Sequence, residues 1–412
     1  MYKKYMHIWL LTFCTIFFTY HYGLRSAIPS VLNEDLQQYF NATASQIGTM
    51  ISSFYLAYTL MQIPVGLILD RFSSKRVGVI AFILFSMCLM LFVSSDSIAV
   101  ASFSQFLMGC CCSVVFVLLM KVANDYFPRD KIAFVSSVAI SIGSLGPVIA
   151  SSTLTYLSTI IHWKTVVLYA SFIGLAFSVG GFLLIKEAYL PKVHHESEQK
   201  DSIIANLKVV LTNPQYFWIG LFSMLMLGPV SSFCDAWGIS FLKHVYNLNK
   251  EQAALANGFV FVGNIVGGPA IAYIALKLRS YREVMFGGAF GLAVTFALIN
   301  WCALPGFALH FALFIIGSLL GSQFLSFPAA LTLATKEVGA TVTGVVNTIT
   351  MMGSTLLIKG VGCILDISKG ENLSYSASDY QLGVALMIAC TVAAGLTVCL
   401  IKVKYPAAES AE

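Results

Sequence analysis

Apolar runs follow one another along nearly the whole chain, separated by short polar breaks. A helix needs about 20 residues to cross a hydrocarbon core of about 30 Å. The pattern predicts twelve such helices, over residues 6–31, 44–69, 77–95, 98–124, 132–157, 164–185, 215–241, 252–276, 283–303, 307–334, 338–364 and 380–401. One break is long and polar, the stretch from Lys186 to Asn213 that contains KVHHESEQKDS. The chain therefore divides into six spans over 1–185, a linker loop over 186–213 and six spans over 214–412. Lys3 and Lys4 precede the first run as they would in a signal peptide. That run is too long for a signal core and has no small-residue cleavage site, so it reads as an uncleaved first span.

The cations assign an orientation. With the N-terminus inside, 18 Lys and Arg residues fall on cytoplasmic segments and four (Lys164, Lys243, Lys250 and Lys369) on outer loops, while Arg25 and Lys359 stay within spans. The positive-inside rule then puts both termini and the central loop in the cytoplasm. Composition agrees, with 58% hydrophobic and only 10% charged residues, so lipid is the solvent for most of the chain. The net charge of +5 lies on no soluble basic face, which excludes a nucleic-acid partner. The ten cysteines all sit in apolar runs without a histidine at ligand spacing, and read as packing residues, neither disulfides nor metal ligands. Cys110, Cys111 and Cys112 are adjacent helical positions that point in different directions. The chain has no phosphate loop of the Gly-x-x-x-x-Gly-Lys type, and His195-Glu196 is followed by Ser-Glu-Gln, not by the second histidine of a zinc motif. No Gly-x-Ser-x-Gly elbow is present either. ATP-driven and hydrolytic chemistry are thereby set aside, and no cofactor is expected.

The stretch from Phe54 to Arg76 is apolar until it breaks into charge, as a helix does on leaving a membrane. Its order Gly66-x-x-x-Asp70-Arg71-x-x-x-Lys75-Arg76 resembles the signature loop between the second and third helices of major facilitator transporters. The resemblance covers the whole chain and implies twelve transmembrane helices in two pseudo-symmetric six-helix bundles. After the eighth span, Gly268-Pro269 with Lys277, Arg279 and Arg282 is a degenerate second copy that lacks the acid. In the fifth span Gly143-Ser144-Leu145-Gly146-Pro147 is similar to the superfamily's Gly-Pro motif, with Ala150-Ser151 in place of its trailing glycines. The fourth-span motif, Arg-x-x-x-Gly in many members, here reads Gln105-x-x-x-Gly109, so a proton-relay role is not carried over. By this resemblance Gly66, Asp70, Arg71, Arg76, Gly146 and Pro147 serve conformational gating. Gly263/Gly267 and Gly317/Gly321 have the spacing that lets helices approach, and read as packing.

Ionisable groups inside spans are costly and mark function by default. Asp235 is the one acid deep in an apolar span, and Arg25 is the deepest base. They occupy corresponding spans, the first and the seventh, which line the central cavity in this superfamily. One reading has Arg25 take a substrate carboxylate while Asp235 takes an ammonium or a coupling proton. The other has the two pair as a gate or packing bridge. His21, one turn before Arg25, is a candidate proton shuttle or a neutral, hydrogen-bonded histidine. Tyr22, Tyr55, Tyr58 and Gln62, then Trp237, Asn264, Gln323 and Asn347, complete the candidate substrate site, with Asn257 a further buried amide. Interhelical hydrogen bonding explains many of these without a ligand.

The first two spans also carry Tyr20-x-Tyr22-x-x-Arg25-x-x-x-Pro29-Ser30-Val31 and Ser53-Phe54-Tyr55-x-Ala57-Tyr58-x-x-Met61-Gln62-Ile63-Pro64. These resemble the phagosomal transporter family of intracellular bacteria, as do Lys121-x-Ala123, Trp237-Gly238 and Phe241-Leu242. The chain departs from it at His21, where an acid is expected, and at Ser73-Ser74, where the loop usually has glycine. Family members import amino acids or nucleosides, and near relatives move siderophores. The expectation is a monomeric inner-membrane symporter that moves an amino acid with protons by alternating access, in contact with the bilayer and with no metal. Transport of a carboxylate-type siderophore or a drug, and a binding-only receptor, are the alternatives.

Overall fold

In a computed structural model, the described residues are 6–127, 129–186, 203–335, 338–370 and 374–403. Every element among them is helical. The first half runs α1 (Met6–Val31), α2 (Asn33–Phe40), α3 (Ala44–Arg71), α4 (Ser74–Val93), α5 (Ile98–Tyr126), α6 (Arg129–Ile160) and α7 (Trp163–Leu184). The second runs α8 (Ile203–Thr212), α9 (Pro214–Ser232), a π-helical turn (Phe233–Trp237), α10 (Gly238–Tyr246), α11 (Lys250–Leu278) and α12 (Tyr281–Trp301). It closes with α13 (Gly306–Leu320), a 3₁₀ stretch (Gly321–Leu325), α14 (Ser326–Leu331), α15 (Gly339–Lys369) and α16 (Ala377–Val398). Counting α9–α10 and α13–α14 as single interrupted spans, the fold is an all-α membrane fold of twelve transmembrane helices. Ten helical segments among the described residues are long and apolar enough to cross a membrane by length and composition. The remaining two, α1 and α3, carry most of the polar candidates of the first half.

Local chemistry sets the helix ends. Thr43 accepts from the Gln46 backbone N–H at 3.3 Å, and Gln46 Oε1 accepts from the Thr43 N–H at 2.9 Å, a capping box that starts α3. Ser73, in the loop where glycine is usual, caps α4 by accepting from the Arg76 N–H at 3.5 Å. Asn213 caps α9 with Pro214 at its first position, where the missing N–H costs nothing. Asn41 ends α2 and Asn247 ends α10 with φ of 46° and 53°, the left-handed conformation that asparagine tolerates best after glycine. Two short helices, α2 and α8, lie outside the twelve spans; α8 is the apolar IIANLKVVLT within the stretch that reads as a polar loop.

The chain forms two compact units, residues 1–198 with 248–255 and residues 199–247 with 256–412. In the first unit α1 packs on α6, α3 on α5 and α4 on α7. Glycine makes the first two crossings backbone-close: a Cβ on Gly146 would stand 2.1 Å from the Thr19 carbonyl oxygen, and one on Gly109 2.2 Å from that of Phe54. The second unit repeats the scheme. There α9 packs on α15 and α12 on α16, while a Cβ on Gly353 would stand 2.3 Å from the Met224 carbonyl. The Gly263/Gly267 and Gly317/Gly321 spacings face each other across α11 and α13, with Gly263 against Phe314 and Gly317 against Val260, as packing requires. Aromatic rings fill the rest of each core. Phe17 stacks on Phe82 at 4.1 Å in one unit, and Phe233 meets Phe296 edge-on at 5.8 Å in the other. Such pairs add about 0.5–1.5 kcal/mol beyond area burial.

Candidate functional site

In the first unit the candidates gather around Arg25 of α1, which is half-buried. Its guanidinium carbon lies 4.5 Å from the ring centre of Tyr22, 5.3 Å from Tyr55 and 5.6 Å from Phe54. Tyr22 is three residues back and shares the helix face; the other two rings come from α3. Each such contact is worth about 0.5–2 kcal/mol, more when desolvated. Tyr58 is buried one turn further along α3, and half-buried Gln62 donates to its carbonyl oxygen at 3.3 Å. His21 takes a different direction. It is 3% exposed, its Nδ1 lies 3.0 Å from the Phe17 carbonyl oxygen, and its ring packs on Phe17, Phe18 and Phe85.

In the second unit the polar groups lie on the interrupted spans and on α11 and α15. Asp235 sits in the π-helical turn and is 2% exposed. Turns of this kind concentrate at functional positions because the extra residue loosens the backbone ladder. Gly238 makes the turn possible, since a Cβ there would stand 2.7 Å from the Phe233 carbonyl and 2.8 Å from Asn257 Oδ1. Asn257 donates to the Cys234 carbonyl at 2.9 Å, and Trp237 Nε1 donates to the Ile358 carbonyl at 3.0 Å. Gln323, in the 3₁₀ stretch, donates to Ser223 Oγ at 2.7 Å, and Thr350 donates to the same oxygen at 2.7 Å. Asn264 on α11 and Asn347 on α15 are half-buried. Arg25 and Asp235 thus belong to different units, each with its own polar surroundings.

Of the gating candidates, Gly146 and Pro147 are buried in α6, Gly146 against α1. Arg76 is exposed in the first turn of α4. Gly66, Asp70 and Arg71 are helical in α3, and their side-chain surroundings lie outside the described residues.

Away from the spans, Asp96 follows α4. The Tyr39 hydroxyl and then Lys164, 3.2 Å away, hydrogen-bond its carboxylate and hold it below the usual carboxylate range. Lys164 also lies 4.0 Å from the Tyr39 ring centre, so the cluster ties α2 to the start of α7. Sequence reasoning assigns no site role to Phe54, Ser223 or Thr350. An apolar ring and two hydroxyls in apolar runs leave no signal that separates them from packing residues.

The described residues place no cluster of three or more His, Cys, Asp or Glu side chains fit for a metal. The arrangement sets a guanidinium among aromatic rings in one unit and a buried carboxylate on a π-helical turn in the other.

The Major Facilitator Superfamily model matches residues 8–358. Among curated relatives, the uncharacterized transporter YybO of Bacillus subtilis is 25% identical over 291 residues, 65% of this chain and 66% of that protein. The probable galactarate/D-glucarate transporter GudP of Escherichia coli is 27% identical over 199 residues, 47% of this chain and 43% of that protein. The matches thus span between under half and about two thirds of those proteins' lengths. Among solved structures, the bacterial homolog of the human lysosomal transporter Spinster, inward-facing and unoccupied, superposes with a TM-score of 0.79 at 14% identity, covering 96% of this chain and 97% of that one.

Proposed function

Because the chain belongs to the Major Facilitator Superfamily and is a secondary transporter, not an enzyme, we propose that it carries a small carboxylate-bearing solute together with protons. The observation that supports this reading is the Arg25 guanidinium, half-buried within a span and surrounded by the rings of Tyr22, Phe54 and Tyr55. A guanidinium presents a rigid fork that matches a carboxylate, and inside a span it is costly unless it serves binding or structure. Asp235 is the residue assigned to proton coupling, as the carboxylate buried within a span on a loosened turn. An amino acid is the solute that one cation and one acid suit best, taken up by alternating access in which solute and proton together favour the occluded state.

A second reading is favoured by a specific finding. GudP carries galactarate and D-glucarate by its name, and these are dicarboxylates without an ammonium group. For a sugar acid Arg25 keeps its role, and Asp235 carries only the proton.

A thermal-shift screen of purified protein across pH 5.5 to 8, against amino acids, D-glucarate, other sugar acids, nucleosides and iron chelators, separates the readings by linkage. A shift with one amino-acid class, lost in Arg25→Ala and in Asp235→Asn, supports the zwitterion. A shift with D-glucarate that is lost in Arg25→Ala and persists in Asp235→Asn supports the sugar acid. Ligand-induced shifts that are all indifferent to Arg25→Ala refute the carboxylate site.

A further inference from the structure

Phe54 has no polar side-chain atom, yet it joins several parts of the candidate site. Its ring lies 5.6 Å from the Arg25 guanidinium carbon, meets Tyr55 edge-on at 5.5 Å, and stacks on Tyr58 at 6.3 Å with 21° between the planes. It is 2% exposed. Its backbone is fixed from the other side. A Cβ on Gly109 of α5 would stand 2.2 Å from the Phe54 carbonyl oxygen and 2.9 Å from the Cβ of Ala57, so α5 rests directly on α3 at this residue. The same contact gives a physical reason for the glycine of Gln105-x-x-x-Gly109 in a chain that lacks the motif's arginine.

We propose that Phe54, seated by Gly109, is a positioning residue that sets the attitude of the Arg25 guanidinium for anion binding. The proposal rests on the reading of Arg25 as the carboxylate site. A fork makes two parallel hydrogen bonds only when its plane is set, and binding groups need to be held within about 0.5 Å and 10–20°. An aromatic ring attracts a cation through its quadrupole and takes none of its hydrogen-bond donors, so it orients the group without competing for the anion. Tyr22 moves with α1, the helix that carries Arg25. Phe54 belongs to α3 and is backed by α5, so it references the guanidinium to the rest of the unit.

The test is the NMR spectrum of arginine-¹⁵N-labelled protein in lipid nanodiscs. The chain has six arginines, and the Arg25 Nε–Hε signal is the one that Arg25→Lys removes. Ring currents are expected to hold it upfield in the native protein. Phe54→Leu is expected to move it downfield only by the share that the Phe54 ring contributes, since the nearer rings of Tyr22 and Tyr55 still shield it, and Phe54→Trp to keep it upfield. Gly109→Ala, which leaves the ring intact but pushes α3 away, is expected to move the same signal while the other five stay in place. Pentafluorophenylalanine at position 54 keeps the shape and inverts the quadrupole, so it reads the same contact if the leucine variant does not fold. An Arg25 signal that stays where it was in Phe54→Leu, or in the fluorinated protein, overturns the proposal. The signal reports ring geometry whether or not a solute binds. A solute screen that refutes the carboxylate reading is therefore distinguishable from a failure of this inference.

Discussion

A charged side chain inside a membrane helix needs company, and Arg25 and Asp235 find it in different ways. Aromatic rings surround the first, and a π-helical turn presents the second. If Arg25 receives a carboxylate through its fork, Arg25→Lys should behave like Arg25→Ala. A point charge on a flexible stem keeps the sign and loses the bidentate geometry. The measurement is ligand-induced stabilisation, and retention in the lysine variant within about threefold would count against the fork. The two proton candidates separate on pH dependence. Asp235→Asn should flatten the pH profile of transport, whereas His21→Gln should leave it in place, because His21 lies among Phe17, Phe18 and Phe85 with its Nδ1 at a backbone carbonyl. Asp96 gives a pH prediction outside the membrane. Its carboxyl is held low by Tyr39 and Lys164, so its contribution to stability is present above the ordinary aspartate range and lost as pH falls through the lowered value. Asp96→Asn should therefore lower the melting temperature slightly at pH 7, and the difference should close only below pH of about 4. Arg25 and Asp235 are legible in the sequence because charge stands out against apolar runs. Phe54 is not, since a phenylalanine in a membrane helix looks the same whether it faces lipid, core or cation.

At the scale of elements, glycines decide which helices touch. In α13 a Cβ on Gly317 would stand 1.8 Å from the Val260 carbonyl oxygen, a collision with backbone that no rotamer relieves. Gly317→Ala should destabilise the second unit by about 1–3 kcal/mol, the usual range for overpacking. Gly180 in α7 has open space where its Cβ would be, so Gly180→Ala should be neutral or stabilising, as alanine is the better helix former. Thermal unfolding in detergent of the two variants side by side checks the pair, and equal melting temperatures would refute the contrast. The spans themselves read directly from the sequence, because in lipid the length of an apolar run is the dominant constraint. The interruptions do not. The turn at Phe233–Trp237 and the 3₁₀ stretch at Gly321–Leu325 interrupt spans that read as uninterrupted apolar runs. They coincide with tertiary partners that composition does not reveal, Asn257 and Ile358 for one and Ser223 for the other.

For the whole molecule, the two units repeat one packing scheme, which is how a duplicated chain looks once its sequence similarity has faded. A secondary transporter should work in proteoliposomes that contain no ATP. Uptake driven by an inward proton gradient and abolished by a protonophore is the expected result, and uptake indifferent to the protonophore would remove proton coupling from the proposal. The π-helical turn has an evolutionary consequence. Such a turn is one residue inserted into an α-helix and taken up by a wider turn, so the residues on either side keep their faces, and deleting a single codon at Ala236 would restore a regular helix with the rest of the span in place. A lineage that acquired the insertion could not lose it by ordinary point substitution, and relatives without it should align to this span only with a one-residue gap beside Asp235.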